Sequence, residues 1–130
     1  QERQMLEADR QTFLKQFDLA GHGIGFAVLG GVFGEGVDLP GKRLIGAFVA
    51  TLGLPQFDDV NQAICERMEA RFGRGHDYTY VFPGMQKVVQ AAGRVIRSET
   101  DTGSVLLLDA RYGERRYRSL LPDWWNIEMA

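Results

Sequence analysis

The chain has 130 residues, 45% apolar and 25% charged, with a net charge of −2 and a pI near 5.7. That is the composition of one ordinary globular domain, large enough for a core and too small for two. It excludes a disordered tail and a global basic field that would advertise nucleic acid. A lone cysteine, Cys65, excludes an internal disulfide and a cysteine-built zinc cluster. The longest apolar stretch, around Leu44 to Leu54, is broken by glycines and too short to span a bilayer, and nothing resembles a signal peptide. The expectation is a cytoplasmic protein. The chain starts at Gln1 without an initiator Met, so it reads as a piece of a larger one.

From about Glu2 to Phe17, Leu6, Phe13, Leu14 and Phe17 recur at helical spacing among charges, which predicts an amphipathic helix. Ile24 to Leu29 is a short apolar run bounded by glycines, the pattern of a buried parallel strand. Gly30 to Gly41 follows as a loop with five glycines and a proline, plus Glu35 and Asp38; such a loop implies tight turns or close approach of a ligand. Within it, Gly36 to Arg43 (GVDLPGKR) nearly satisfies the phosphate-loop pattern G-x-x-x-x-G-K-[ST]. Arg43 stands where a magnesium-binding hydroxyl is needed, however, and Pro40-Gly41 leads into a strand-like run instead of a helix.

A second strand is predicted over about Leu44 to Thr51. After the turn at Leu54-Pro55, Asp58 is suited to cap a helix carrying Val60, Ile64, Met68 and Phe72, with Gly73 closing it. Arg74 to Tyr80 (RGHDYTY) reads as a polar, aromatic crossing to a further helix over Phe82 to Ser98, with Pro83 in its first turn. Ser104 to Leu108 is a third buried strand ending at Asp109, and a tail helix carries Arg111, Arg115, Arg116 and Arg118. Strands alternating with helices predict an α/β fold, a three-layer sandwich with a mostly parallel sheet.

The Phe82 to Ser98 run is the most informative. On a helix, Met85, Val88, Val89, Ala92, Val95 and Ile96 gather on one side, while Gln90, Arg94 and Arg97 lie at i, i+4 and i+7 on the other. Two guanidiniums without an acid on their stripe suit an anion; a solvated face usually mixes Glu with Lys. The text QAAGRVIRS has the Q-x-x-G-R-x-x-R pattern of motif VI in superfamily 2 helicases. The following TDTGSVLLLDARY, together with GGVFGEGVDLPGKRLIG upstream, resembles motifs VI and V of XPD/DinG-like ATP-dependent DNA helicases from about Phe26 to Trp125.

That resemblance implies that residues 1–130 are a single domain, the C-terminal portion of the second RecA-like (P-loop NTPase-like) motor domain, with its first strands upstream of Gln1. It makes Arg97 an arginine finger, Arg94 the second motif VI arginine and Gln90 the residue opening the motif, together the candidate catalytic set. Gly34, Glu35, Gly36, Asp38 and Gly93 are the candidate cofactor-contacting positions. Asp38 either caps a turn, orders the loop, or reaches the ribose or Arg97. The implied cofactor is ATP with Mg2+, bound mainly by the first motor domain, where any iron–sulfur cluster also belongs. The implied partners are that domain and single-stranded DNA, held through phosphates by the glycine loop and by Lys42 or Arg43. A truncated sheet further predicts self-association.

Two other readings compete: a non-catalytic α/β module binding nucleic acid or a protein partner, and a small-molecule enzyme using Glu35 and Asp38 as an acid/base pair. The second leaves the Gln90-Arg94-Arg97 stripe unexplained. The remaining conspicuous residues have plain structural readings. His22 and His76 are isolated, Trp124 and Trp125 are packing anchors, Asp109 with Arg111 is a local ion pair, and Cys65 is a small buried hydrophobe.

Overall fold

A computed structural model describes residues 5–18, 20, 22–35, 39, 41–96 and 100–129. The elements in order are α1 (Glu7–Lys15), α2 (Val32–Glu35), β1 (Gly46–Ala50), α3 (Asp59–Phe72), α4 (Phe82–Ala92), β2 (Ser104–Leu108) and α5 (Arg115–Arg118). Short 3-10 turns lie at Gly41–Arg43 and Ala110–Gly113, and a π-turn at Asp77–Val81 leads directly into α4.

β1 and β2 pair in a two-stranded sheet. Ser104 N–H donates to Ile45 O at 3.1 Å and Thr51 N–H to Leu108 O at 3.4 Å, so residue numbers rise together along both strands and the pair is parallel. The α/β class with a parallel sheet is therefore as expected. Burial alternates along β1, with Val49 buried between exposed Phe48 and Ala50, and along β2, where Leu106 and Leu108 are exposed around half-buried Leu107. This is the pattern of a sheet covered on one face and corrects the expectation of fully buried strands.

The predicted strand over Ile24 to Leu29 does not form. Residues 22–28 have no regular structure, and Ile24 and Phe26 are each 79% exposed. An apolar run becomes a strand only by hydrogen bonding to a neighbour, and among the described residues the sheet contains only β1 and β2.

The caps of α3 are the ones the sequence indicates. Asp58 accepts from Asn61 N–H at 2.8 Å, and Gly73, at φ 67°, donates to Glu69 O at 2.8 Å. Its apolar stripe is another matter: no residue of α3 is buried, and Val60, Ile64 and Phe72 are exposed.

The Arg74–Tyr80 segment is helical from residue 75 onward instead of a loop, and Asp77, Thr79, Tyr80 and Val81 are buried. Gly75 brings it tight against α3: a Cβ there would overlap Cys65 O and lie 2.9 Å from Glu69 Cβ. Its N–H donates to Glu69 Oε2 at 2.6 Å. The π-turn has a local cause in Pro83, whose ring cannot tolerate an α-helical carbonyl four residues back. The wider register, in which Phe82 N–H bonds to Asp77 O, loosens the helix just before it.

The chain divides into two compact units, Gln1–Ala47 with Gln90–Leu106, and Phe48–Val89 with Leu107–Ala130. In the second, Val49, Leu52, Tyr80, Val81, Met85, Val88, Tyr112, Tyr117 and Leu121 form the core. Gly84 lets α4 approach the chain after β1: a Cβ there would lie 2.7 Å from Leu52 O. Among the described residues of the first unit, the buried apolar ones are Leu39, Ala92 and Val95. Among the described residues no helix is long and apolar enough to cross a membrane.

Candidate functional site

Gln90, Gly93 and Arg94 are set by how α4 ends. The helix stops at Ala92, not at Ser98. Arg94 N–H bonds to Ala91 O at 3.1 Å and Val95 N–H to Ala92 O at 3.0 Å, three residues back, so the last turn tightens around Gly93. Glycine is about 1 kcal/mol poorer than alanine inside a helix, which favours termination here. Gln90 is exposed on the last turn of α4, and Arg94 is half-buried in the tight turn beyond it. The expected stripe at i, i+4 and i+7 of one helix is thus corrected, because the helix does not extend to Arg94. Arg97 lies outside the described residues.

The apolar periodicity continues past Ala92 for a tertiary reason. Val95 is 3% exposed, and Gly103 makes room for it: a Cβ on Gly103 would overlap Val95 Cγ1 and lie 2.9 Å from Ile45 O. The turn that carries Arg94 is therefore fastened by its apolar neighbour to the residues that open both strands.

Upstream, Gly34 and Glu35 end the short α2, while Gly36 and Asp38 lie outside the described residues. Lys42 is exposed in the Gly41–Arg43 turn. Arg43 is half-buried and its Nε donates to Phe17 O at 2.7 Å. This turn leads into β1 and not into a helix, as the sequence context of GVDLPGKR indicated. Gly34, Lys42, Arg43, Gln90, Gly93 and Arg94 all belong to the first compact unit.

Two clusters in the second unit were less visible. Beyond the carboxyl ends of the strands, Asp109 accepts from Arg111 Nε at 2.9 Å, from its Nη2 at 2.7 Å and from its backbone N–H at 3.0 Å. The ion pair expected from sequence is a bidentate fork, and those hydrogen bonds hold the Asp109 carboxyl down at about 2. Arg111 Nη2 also reaches Thr51 Oγ1 at 3.3 Å, and Tyr112 Oη donates to Thr51 O at 2.8 Å. Thr51 has φ 74°, a conformation a β-branched residue adopts only under constraint from its surroundings. Burial pushes the Tyr112 phenol up to about 12. Only the Asp-x-Arg spacing signalled this cluster in sequence.

The other cluster centres on Asp77. Arg74 Nε and Nη2 donate to its Oδ2 at 3.0 and 2.8 Å, and Arg116 Nη2 donates to its Oδ1. Burial alone would push the Asp77 carboxyl up, but hydrogen bonds from Arg116 and Arg74, with their charges, outweigh it and hold the group below the usual carboxylate value. In sequence this residue sits in a polar stretch with nothing to mark it.

Among the described residues no group of three or more His, Cys, Asp or Glu is placed to hold a metal ion. His22 and His76 are exposed. Cys65 is half-buried and not fully buried as expected. Trp125 is half-buried, but Trp124 is 75% exposed, which corrects its reading as a packing anchor.

The sequence profile of the family described as "Helicase C-terminal domain" matches residues 1–128. The "ATP-dependent DNA helicase DinG" of Photobacterium profundum is 38% identical over 95 residues, 72% of this chain and 14% of that protein. The "General transcription and DNA repair factor IIH helicase subunit XPD" of Arabidopsis thaliana is 31% identical over 106 residues, 76% of this chain and 13% of that protein. The "ATP-dependent DNA helicase chl1" of Schizosaccharomyces pombe is 28% identical over 122 residues, 88% of this chain and 14% of that protein. The chain thus spans a small fraction of the length of these curated relatives.

Proposed function

Because the chain belongs to the helicase C-terminal domain family of DinG- and XPD-type helicases, we propose that it is the second motor-domain segment of an ATP-dependent DNA helicase. In this reading it supplies motif V and the motif VI arginines to hydrolysis of ATP coupled to movement along single-stranded DNA. The family match over residues 1–128 is the observation that carries the reading. The turn after α4 is consistent with it, since Arg94 comes off a backbone fixed by Val95 and Gly103.

Magnesium-bound ATP supplies the phosphoryl group, held mainly by the first motor domain of the same protein. The residues of this chain do the rest by charge and position. Arg97 places a guanidinium against the oxygens where negative charge spreads during transfer, a contribution of several powers of ten in the best-studied cases. Arginine suits the task because it stays charged and presents a rigid fork. Arg94 shares that charge from one helical turn earlier in the sequence, and Gln90 orients the approach. Gly34, Glu35, Gly36, Asp38 and Gly93 serve the nucleotide side of the cleft, and Lys42 and Arg43 face the DNA phosphates. These residues act only when the two motor domains close.

The test is single-strand-stimulated ATP hydrolysis by the full-length protein, unaltered and with Arg97→Ala, with ATP binding measured in both. Hydrolysis should fall by orders of magnitude while ATP still binds. Equal hydrolysis by the two proteins, or none by the unaltered one, rejects the motor assignment.

A further inference from the structure

We propose that the open groove lined by Gly113, Arg115, Arg118 and Ser119 is a binding site for the phosphodiester backbone of single-stranded DNA. The inference rests on the motor reading above and adds to it a contact site built from residues other than those of motifs V and VI.

The C-terminal segment carries four arginines whose roles separate cleanly. Arg111 is committed to Asp109 and Arg116 to Asp77. Arg116 also lies over the Tyr117 ring, 5.7 Å from its centroid, and Tyr117 itself is buried. Arg116 and Tyr117 therefore fix the rotation of α5. Arg115 and Arg118, three residues apart, share one side of that turn and together line a groove of about 330 Å3. That is near the lower end of the volumes of ligand sites, roughly 300 Å3.

Both guanidiniums are exposed, and neither takes part in a described ion pair or side-chain hydrogen bond. Glu114 and Asp123 are the carboxylates nearest them in sequence; both are exposed, and neither pairs with Arg115 or Arg118. Ser119 turns its hydroxyl to Arg116 O at 3.1 Å, which leaves the groove to the two arginines.

Gly113 is the second, independent sign. It is not among the glycines with positive φ, and a Cβ there would meet only Met129 Cε at 3.5 Å, an ordinary contact. Neither backbone conformation nor packing demands glycine at this position. What its missing side chain does is keep the groove wall low, so that another backbone can come close. Two unneutralised, rigid cations beside an open wall match a chain of single negative charges better than a compact polyanion, which calls for a closed cradle of backbone N–H groups. On the same segment Trp124 exposes its indole, a surface on which a base can stack.

The experiment is equilibrium binding of a fluorescent oligothymidylate to the full-length protein across a series of salt concentrations. It compares the unaltered protein, Arg115→Gln with Arg118→Gln, and Arg115→Lys with Arg118→Lys. Each phosphate contact contributes about 0.7 to the slope of log affinity against log salt for single strands, so losing two should flatten the slope by about 1.4. At about 0.1 M salt that corresponds to roughly 25-fold weaker binding. The lysine variant should keep the slope. Circular dichroism of each variant verifies the fold, which exposed side chains should leave intact. If the unaltered protein binds single strands and the glutamine variant binds with the same affinity and slope, the groove assignment falls and the motor reading survives. If the unaltered protein binds no single strand, both fall together.

Discussion

Replacing Asp109 by Asn tests the cluster beyond the carboxyl ends of β1 and β2. Asn keeps the size of the side chain but removes the charge and offers one amide N–H toward a guanidinium that can only donate. The carboxyl is held at about 2 against an ordinary 3.8, a difference of about 1.8 units, or about 2.4 kcal/mol at about 1.36 kcal/mol per unit. Arg111 is 35% exposed in its side chain while Asp109 is 15% exposed. Solvent therefore screens one end of the pair, and about 2 kcal/mol is an upper figure. Because the folded carboxyl is depressed, this stability is present above about pH 4 and lost as pH falls toward 2. Urea denaturation of the chain followed by circular dichroism should show Asp109→Asn costing about 1–2 kcal/mol at pH 7 and little near pH 2. In an Arg111→Met background the same change should cost less than half as much, since its main partner is gone. A loss that is equal at both pH values, or unchanged without Arg111, refutes the assignment.

Asp77→Asn should also destabilise, by about 1–2 kcal/mol, discounted because the side chains of Arg74 and Arg116 are 58% and 54% exposed. Faster amide hydrogen exchange across Asp77–Val81 at neutral pH is the readout, and unchanged exchange there contradicts the anchoring role. Here too the carboxyl is depressed, so the difference should fade as pH drops below the ordinary carboxylate value. Tyr80→Phe should be neutral or stabilising by up to about 1 kcal/mol, because the Tyr80 hydroxyl is buried without a protein partner. Destabilisation of more than about 1 kcal/mol would mean that the hydroxyl is satisfied, for instance by an ordered water.

What the sequence made legible was what short-range chemistry decides. Asp58 and Gly73 bracket α3 because an N-cap carboxylate and a left-handed glycine satisfy local backbone groups whatever lies around them. Ser104 to Leu108 was legible as a strand to the residue, since a short apolar run between a glycine and an aspartate has few other options. The failures are long-range. Ile24 to Leu29 has the composition of a strand, but pairing is a property of two segments. Arg74 to Tyr80 looked like a polar crossing because Asp77 is polar, and it takes Arg116, 39 positions away, together with Arg74 to let that carboxylate be buried in a helix. The end of α4 was missed since Val95 and Ile96 extend the helical rhythm past Gly93, while Val95 is in fact buried from a turn, against Gly103. For the candidate site, a helix through Gln90 was readable, but its end before Arg94 was not. Of the candidate positions in the glycine loop, Gly36 and Asp38 lie outside the described residues.

Net charge conceals how the arginines are placed. A balance of −2 counts every arginine alike, whereas the fold divides them. Arg111 is neutralised by Asp109, and Arg74 and Arg116 share the single charge of Asp77, so these three act chiefly as internal fasteners. Arg115 and Arg118 stand one residue to either side of the Arg116-Tyr117 anchor and keep theirs. Interactions between exposed charges fade beyond about 8–10 Å at physiological salt, so a phosphate responds to the guanidiniums beside it and hardly at all to carboxylates elsewhere on the surface. An acidic chain can therefore present a local cationic patch where no carboxylate pairs with its outward arginines, and neither Glu114 nor Asp123 pairs with Arg115 or Arg118. In this fold the same two carboxylates, Asp77 and Asp109, hold the α5 segment in place and leave its outward arginines uncompensated.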